Sequence, residues 1–343
     1  MSSRSAVRAL LALTFVAALA IAAPATAQDQ APATWGVGPS SQDGPDGRAA
    51  FDYALDPGQS LVDFVGVSNF GTEPITLRLY ASDAFTSESG AFDLLASDQE
   101  SVDVGSWIGF NEQVLTIAPQ TRLDVPFALH VPADATPGDH VGGIVAALTE
   151  ESTDATGDAV LVERRVGARV HLRVSGELDP ALTPDIDHLT YHYEPNPASP
   201  GSATFDYEVE NTGNVRLGGQ LIARFSGPFG LLEREVVVAE LPQILPGDRF
   251  EGTAEVDRLW PLLRLDAELL VRPEAVDPAD AESRIPSSSH EETLWAPPWP
   301  QAAVLIALGL LVLVWAKLRK RRKANAKPKP VVDEPEPSKE TSE

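Results

Sequence analysis

An aspartate beside a histidine among turn residues, Thr136-Pro-Gly-Asp-His-Val-Gly-Gly-Ile144, is where acid–base or ligand-cradling chemistry would first be sought in this sequence. Such a dyad works by activating a nucleophile, and the chain contains neither a cysteine nor a Gly-x-Ser-x-Gly elbow. Pro137-Gly138 lies between an apolar strand ending at Val131-Pro132 and another running from Val141 to Thr149. That placement predicts a turn, with His140 at a sandwich corner where its ring can bond upstream backbone. His188 and His192 have the spacing of a zinc-protease helix, but Leu189 stands where the glutamate belongs, and Thr190, Tyr191 and Tyr193 predict a strand. Residues four apart on a strand are separated by roughly 13 Å, too far for two imidazoles to share one zinc. Asp43-Gly-Pro-Asp-Gly47 and Asp277-Pro-Ala-Asp280 offer oxygens without the alternating ligand positions of a calcium loop, and read as solvated turns. Gly142-Gly143 opens a strand and lacks the helix and lysine of a phosphate loop. The expectation is a chain without catalytic residues, metal or cofactor.

The remaining constellation is basic. From Val160 to Val174 the even positions are apolar apart from Arg164, while the odd positions hold Glu163, Arg165, Arg169, His171 and Arg173. A strand sets Arg165, Arg169, His171 and Arg173 in a row on one outer face, with alternate residues about 6.6 Å apart. Two readings follow: cross-strand pairing with acidic neighbours, or a ladder for an anionic polymer or the acidic face of a partner.

The elements that must position these residues are strands. Period-two alternation runs through Leu61–Ser68, Ile75–Tyr80, Leu123–Val131 and Ile144–Thr149, punctuated by Pro, Gly, Asp and Asn. A weak internal repeat lays Leu61–Tyr80 on Ala203–Phe225, with Asn69-Phe-Gly over Asn211-Thr-Gly; Ala118–Val131 likewise parallels Leu245–Val256. The fold class is therefore all-β, two tandem immunoglobulin-like sandwiches followed by one transmembrane helix. The expected domains are 33–175 and 185–272, joined near Gly176 to Pro184, with a Pro- and acid-rich stalk over 273–298.

Residues 1–27 read as an export signal: Arg4 and Arg8, an apolar run, then Ala25-Thr-Ala27 as the cleavage site. Residues 299–316 read as the membrane span, with Trp299 and Trp315 at its interfaces and Lys317 opening a basic run over 317–323. The positive-inside bias places the 317–343 tail in the cytoplasm and the exterior outside. Of 26 Lys+Arg, two lie in the signal and nine in the tail, leaving 15 on the exterior, all Arg, against 45 acidic residues. So acidic an exterior repels nucleic acid. With no cysteine, this exported chain relies on its cores.

"LDPGQSLVDFVGVSN", "ASDAFTSESGAFDLL", "LTIAPQTRLDVPFALHVP" and "GDHVGGIVA" resemble the peptidoglycan-binding domain of the WxL-interacting-protein family of Gram-positive cell surfaces. The resemblance covers roughly residues 33 to 175 and extends to the order of signal, two Ig-like domains, span and basic tail. It implies a non-enzymatic surface protein that holds to wall peptidoglycan and partners other surface proteins. "ENTGNVRL", Glu210 to Leu217, is closer to a generic Ig-like module than to that family's second domain, and Trp260-Pro-Leu262 is a chance W-x-L tripeptide. The expected function is a membrane-anchored binding or scaffold protein. The alternative is an accessory or sensor subunit of a membrane complex.

Overall fold

The computed structural model describes residues 33–153, 158–281 and 285–324. The signal segment and most of the tail lie outside the described residues. In chain order the strands are β1 (Trp35–Ser40), β2 (Phe51–Leu55), β3 (Ser60–Asn69), β4 (Ile75–Thr86), β5 (Phe92–Leu94), β6 (Ile108–Phe110), β7 (Val114–Ile117), β8 (Arg122–His130), β9 (Gly138–Thr153) and β10 (Ala159–Val174), with a one-turn helix α1 (Val104–Trp107) before β6. After a short connection follow β11 (Leu182–His192), β12 (Gly201–Asn211), β13 (Leu217–Gly227), β14 (Leu231–Ile244), β15 (Arg249–Leu259), β16 (Leu263–Ala275), β17 (Ser288–Ala296) and a long helix α2 (Trp299–Ala324).

These strands form two immunoglobulin-like sandwiches. In the first, the sheet β1-β3-β8-β6 faces the sheet β2-β10-β9-β4-β5, on which β7 also pairs with β4. The two faces close on a core that includes Val65, Leu79, Phe127, Ile144 and Val170, with Phe51 edge-on to Phe127 at 5.3 Å between ring centroids. The Trp35 indole reaches across and donates from Nε1 to the Ala146 carbonyl at 3.0 Å, so the buried ring also meets its polar requirement. In the second sandwich β11-β12-β15 faces β14-β13-β16-β17 over a core that includes Phe205, Val209, Leu217, Phe225 and Leu269. Tyr191 ties its two edges, donating its hydroxyl to Leu259 O at 2.7 Å while accepting from Gly201 N at 3.2 Å.

The internal repeat has a physical basis. Asn69 and Asn211 are both buried and each makes the same cap. Asn69 Nδ2 donates to Glu73 O and Ile117 O while Oδ1 accepts from Gly71 N; Asn211 Nδ2 donates to Val215 O and Ile244 O while Oδ1 accepts from Gly213 N. Each asparagine ends a strand in an Asx turn and pins a third strand's carbonyl.

One expectation is overturned. The 273–298 segment is not a stalk: Ser288–Ala296 is an edge strand of the second sandwich, in register with β16 from Leu263↔Ala296 to Val271↔Ser288, with Leu294 and Ala296 buried. Of its inward positions only Leu294 and Ala296 are apolar, Ser288, His290 and Glu292 sharing the same face, so the strand carries little apolar alternation. The second sandwich therefore runs past the expected 272, and only Pro297 and Pro298 separate it from α2. Along Trp299–Arg322 the mean hydropathy reaches 2.1 and the apolar stretch is not buried against the rest of the chain. Twenty-four residues rise about 36 Å, enough to cross a bilayer, and the helix continues through the basic run that opens at Lys317.

Candidate binding surface

On β10 the predicted alternation holds: Ala168, Val170, Leu172 and Val174 point into the core while Arg165 and Arg169 are exposed. The four members of the basic row nonetheless have different surroundings. Arg165 donates from Nη1 to Leu95 O at 2.9 Å. The Arg169 guanidinium lies over the Phe92 ring, 4.5 Å from its centroid. His171 faces Asp52 on the parallel neighbour β2, Nδ1 to Oδ1 2.8 Å. Arg173 is bonded through Nε and Nη2 to both oxygens of Asp139 at 2.7 and 2.9 Å and through Nη1 to Asp280 at 2.5 Å. The row is thus not an open ladder along its length. The members held by a backbone carbonyl or a ring in place of a carboxylate are Arg165 and Arg169, which with Phe92, Asp93 and Leu94 border a groove of about 280 Å³ between β5 and β10.

The Asp-His pair of the opening stretch divides between two networks. Asp139, almost fully buried, receives Arg173 and also the backbone N–H of Arg216 at 2.9 Å, while the Arg216 guanidinium lies 3.4 Å away. Arg216 belongs to the second sandwich and continues to Asp277 at 3.4 Å. Two guanidinium groups and three carboxylates therefore clamp the sandwiches together. Bidentate, desolvated pairs of this kind have the geometry that repays desolvation, and the Arg173 pKa is raised by Asp139 first and Asp280 after it. Asp277 and Asp280 accordingly sit in the joint, not in a solvated turn. Asp277 also caps its own turn through Ala279 N, and that bond leads the causes that lower its pKa.

The glycine of the stretch has its own reason. Gly138 takes φ 121°, and a Cβ there would stand 2.2 Å from Asn214 O, the carbonyl that accepts from Asp139 N at 2.8 Å. Only glycine allows that approach. Elsewhere in the joint, the Asp248 carboxylate accepts from Thr86 N at 2.5 Å and Leu245 N donates to Thr86 Oγ1 at 3.0 Å. Burial raises the Asp248 pKa against the effect of those bonds.

His140 is at the corner, and Nε2 meets Thr136 O at 2.8 Å, the upstream backbone. Its Nδ1 faces Asp103 Oδ1 at 2.6 Å. Both partners accept, so the ring satisfies both only as imidazolium. Burial is the largest single influence and opposes that charge, but Asp103, the Thr136 carbonyl and Asp139 together outweigh it, and the pKa is raised above 6.5. His171 is the reverse: burial first and then Arg216 lower its pKa, and Nε2 is buried without a partner. His188 and His192 lie on β11 and face Asp206 and Thr204 separately. Asp46 is held by Arg48, whose guanidinium also reaches Asp63. Among the described residues no three His, Asp or Glu side chains converge as a metal site.

Arg216 and its carboxylates escaped sequence reasoning. The available signal was a charge inside the apolar run Val215-Arg-Leu-Gly.

No family model and no curated protein matches this chain. Among solved structures it is similar to the class 5 fimbriae chaperone CfaA, at 12% identity and a TM-score of 0.38, covering 76% of this chain and 99% of that one. It is also similar to a structure of the Salmonella enterica SafA pilin in complex with the SafB chaperone, at 10% identity and a TM-score of 0.32, over 75% and 95% of the chains. A family 123 glycoside hydrolase from Clostridium perfringens is matched over 42% of this chain and 28% of that one, at 15% identity and a TM-score of 0.28.

Proposed function

We propose that this chain is a membrane-anchored surface protein whose two clamped sandwiches act as one rigid binding or scaffold unit, held outside the cell and associated with wall peptidoglycan and partner surface proteins. The observation that carries the reading is the junction of Ala296 and Trp299. A sandwich of the clamped pair passes into an exposed apolar helix with two prolines between them, so the binding unit stands directly on its anchor. Trp299 and Trp315 mark the interfaces, and Lys317 opens the basic flank that places the tail in the cytoplasm. Arg165 and Arg169 beside Phe92 supply guanidinium groups and an aromatic ring at one groove. That combination suits a glycan polymer carrying carboxylates.

The test is co-sedimentation of the detergent-solubilised full chain with purified peptidoglycan. The wild type is expected to pellet, and Arg165→Gln/Arg169→Gln is expected to pellet less while unfolding at the same denaturant concentration. Recovery of the wild type wholly in the supernatant would overturn the wall reading.

A further inference from the structure

The end of the second sandwich from which α2 leaves is apolar and strained in a way that neither core explains. The register pairs Gly227↔Leu231 across β13 and β14, Leu263↔Ala296 and Arg264↔Trp295 across β16 and β17, and Gly201↔Leu259 across β12 and β15. The Pro228–Gly230 turn, the Trp260-Pro-Leu262 link and the start of α2 therefore share one end of the sandwich. Gln301 Nε2, in the first turn of α2, donates to Pro197 O of the β11–β12 connection at 2.9 Å, which ties the helix to that same end.

Phe229 is fully exposed there at 102%, Leu232 is 61% and Trp295 64% exposed, and Leu231, Leu263 and Trp260 are also open to solvent. Clustered apolar groups of this size are not left facing water on a free surface. Backbone strain marks the same place. Of six non-glycine residues with positive φ among those described, four lie here: Phe229 at 62°, Leu232 at 54°, Arg258 at 62° and Leu263 at 73°. Left-handed backbone disfavours side chains of this bulk, so it persists only where something else rewards the presentation. What the four conformations have in common is that they frame apolar side chains turned outward beside the span.

We propose that this end is a second membrane contact, a foot of Phe229, Leu231, Leu232, Trp260, Leu263 and Trp295 that dips into the lipid interface around α2 and fixes the tilt of the sandwiches on the bilayer. The inference rests on α2 crossing the membrane. The occupant is lipid because the patch is continuous with the span through Trp295 and Trp299, and tryptophan with aliphatic neighbours is the composition that partitions at the headgroup boundary.

Because the chain has no cysteine, single-cysteine variants can be labelled specifically with an environment-sensitive fluorophore in the full chain, reconstituted into phosphatidylcholine nanodiscs with and without doxyl-labelled lipid. Three sites suffice: Phe229→Cys in the foot, Leu305→Cys on the span, and Glu73→Cys on a turn of the first sandwich. The expected result is blue-shifted emission and loss of intensity to doxyl lipid at 229 and 305, with neither at 73. Loss at 305 with 229 behaving like 73 would overturn the foot and leave the span standing. A blue shift at 229 without quenching by doxyl lipid would mean a protein occupant and would also overturn it. Quenching at all three sites would mean indiscriminate adsorption, and its absence at 305 would remove the span and the foot together.

Discussion

Asp139 holds two guanidinium groups from two domains, so its removal leaves Arg173 and Arg216 short of a buried counter-charge. Asp139→Ala is expected to cost about 3 kcal/mol, toward the lower end for a broken buried pair because Asp277 and Asp280 still face the arginines. A shift in the urea midpoint at unchanged slope would measure it. The enclosed His140 and the partly buried His171 give the chain opposing pH dependences. For His140 the folded pKa is raised above 6.5, so its stabilisation is complete below 6.5 and lost as pH rises through the folded value. For His171 the folded pKa is lowered below 6.5. The unfolded chain then takes up the proton first, and stability falls as pH drops through 6.5 toward the folded value. In unfolding series across pH 5 to 8, His140→Gln should lose the first dependence and His171→Gln the second. Identical pH profiles for both variants and the wild type would contradict the assignments.

At the scale of elements, the same asparagine cap closes both sandwiches. Asn211→Ala removes the donor of two buried carbonyls, Val215 O and Ile244 O, and should cost about 2 kcal/mol, the desolvation penalty of unpaired backbone groups. Thermal unfolding of Asn211→Ala and Asn69→Ala side by side tests whether the repeat is energetic as well as geometric, since both should be destabilised to a similar degree. The edge strand β17 is open to an equally direct test. Leu294 is buried and in register with Leu265, so Leu294→Ala should cost about 2 kcal/mol or more. An unchanged midpoint would return the segment to the role of a spacer.

For the molecule as a whole, the contacts through Asp139 and through Thr86 link the two sandwiches, which are expected to unfold as one unit. Urea unfolding followed by circular dichroism and by tryptophan fluorescence should give coincident transitions. The double change Asp139→Ala/Asp248→Ala removes both carboxylates from the joint and should separate them into two. Two transitions already in the wild type would mean that the clamp is too weak to couple the domains.

The two-sandwich class, the asparagine repeat and the apolar helix were all legible in the sequence, because each is written in a local period or a local turn. Alternation decides which face of β10 is buried whatever lies opposite, and so Ala168, Val170, Leu172 and Val174 could be assigned inward from spacing alone. The partners of the outward face could not. Asp52 is 119 residues from His171, Asp280 is 107 residues from Arg173 and Asp139 is 77 from Arg216, and no local pattern encodes which carboxylate a guanidinium will meet. The strand at 288–296 is hidden for the same reason, since Ser288, His290 and Glu292 share its inward face with Leu294 and Ala296 and only the register with β16 defines it. Periodicity belongs to the chain, whereas pairing at a joint is decided only when two folded surfaces come together and desolvation makes every unpaired charge costly.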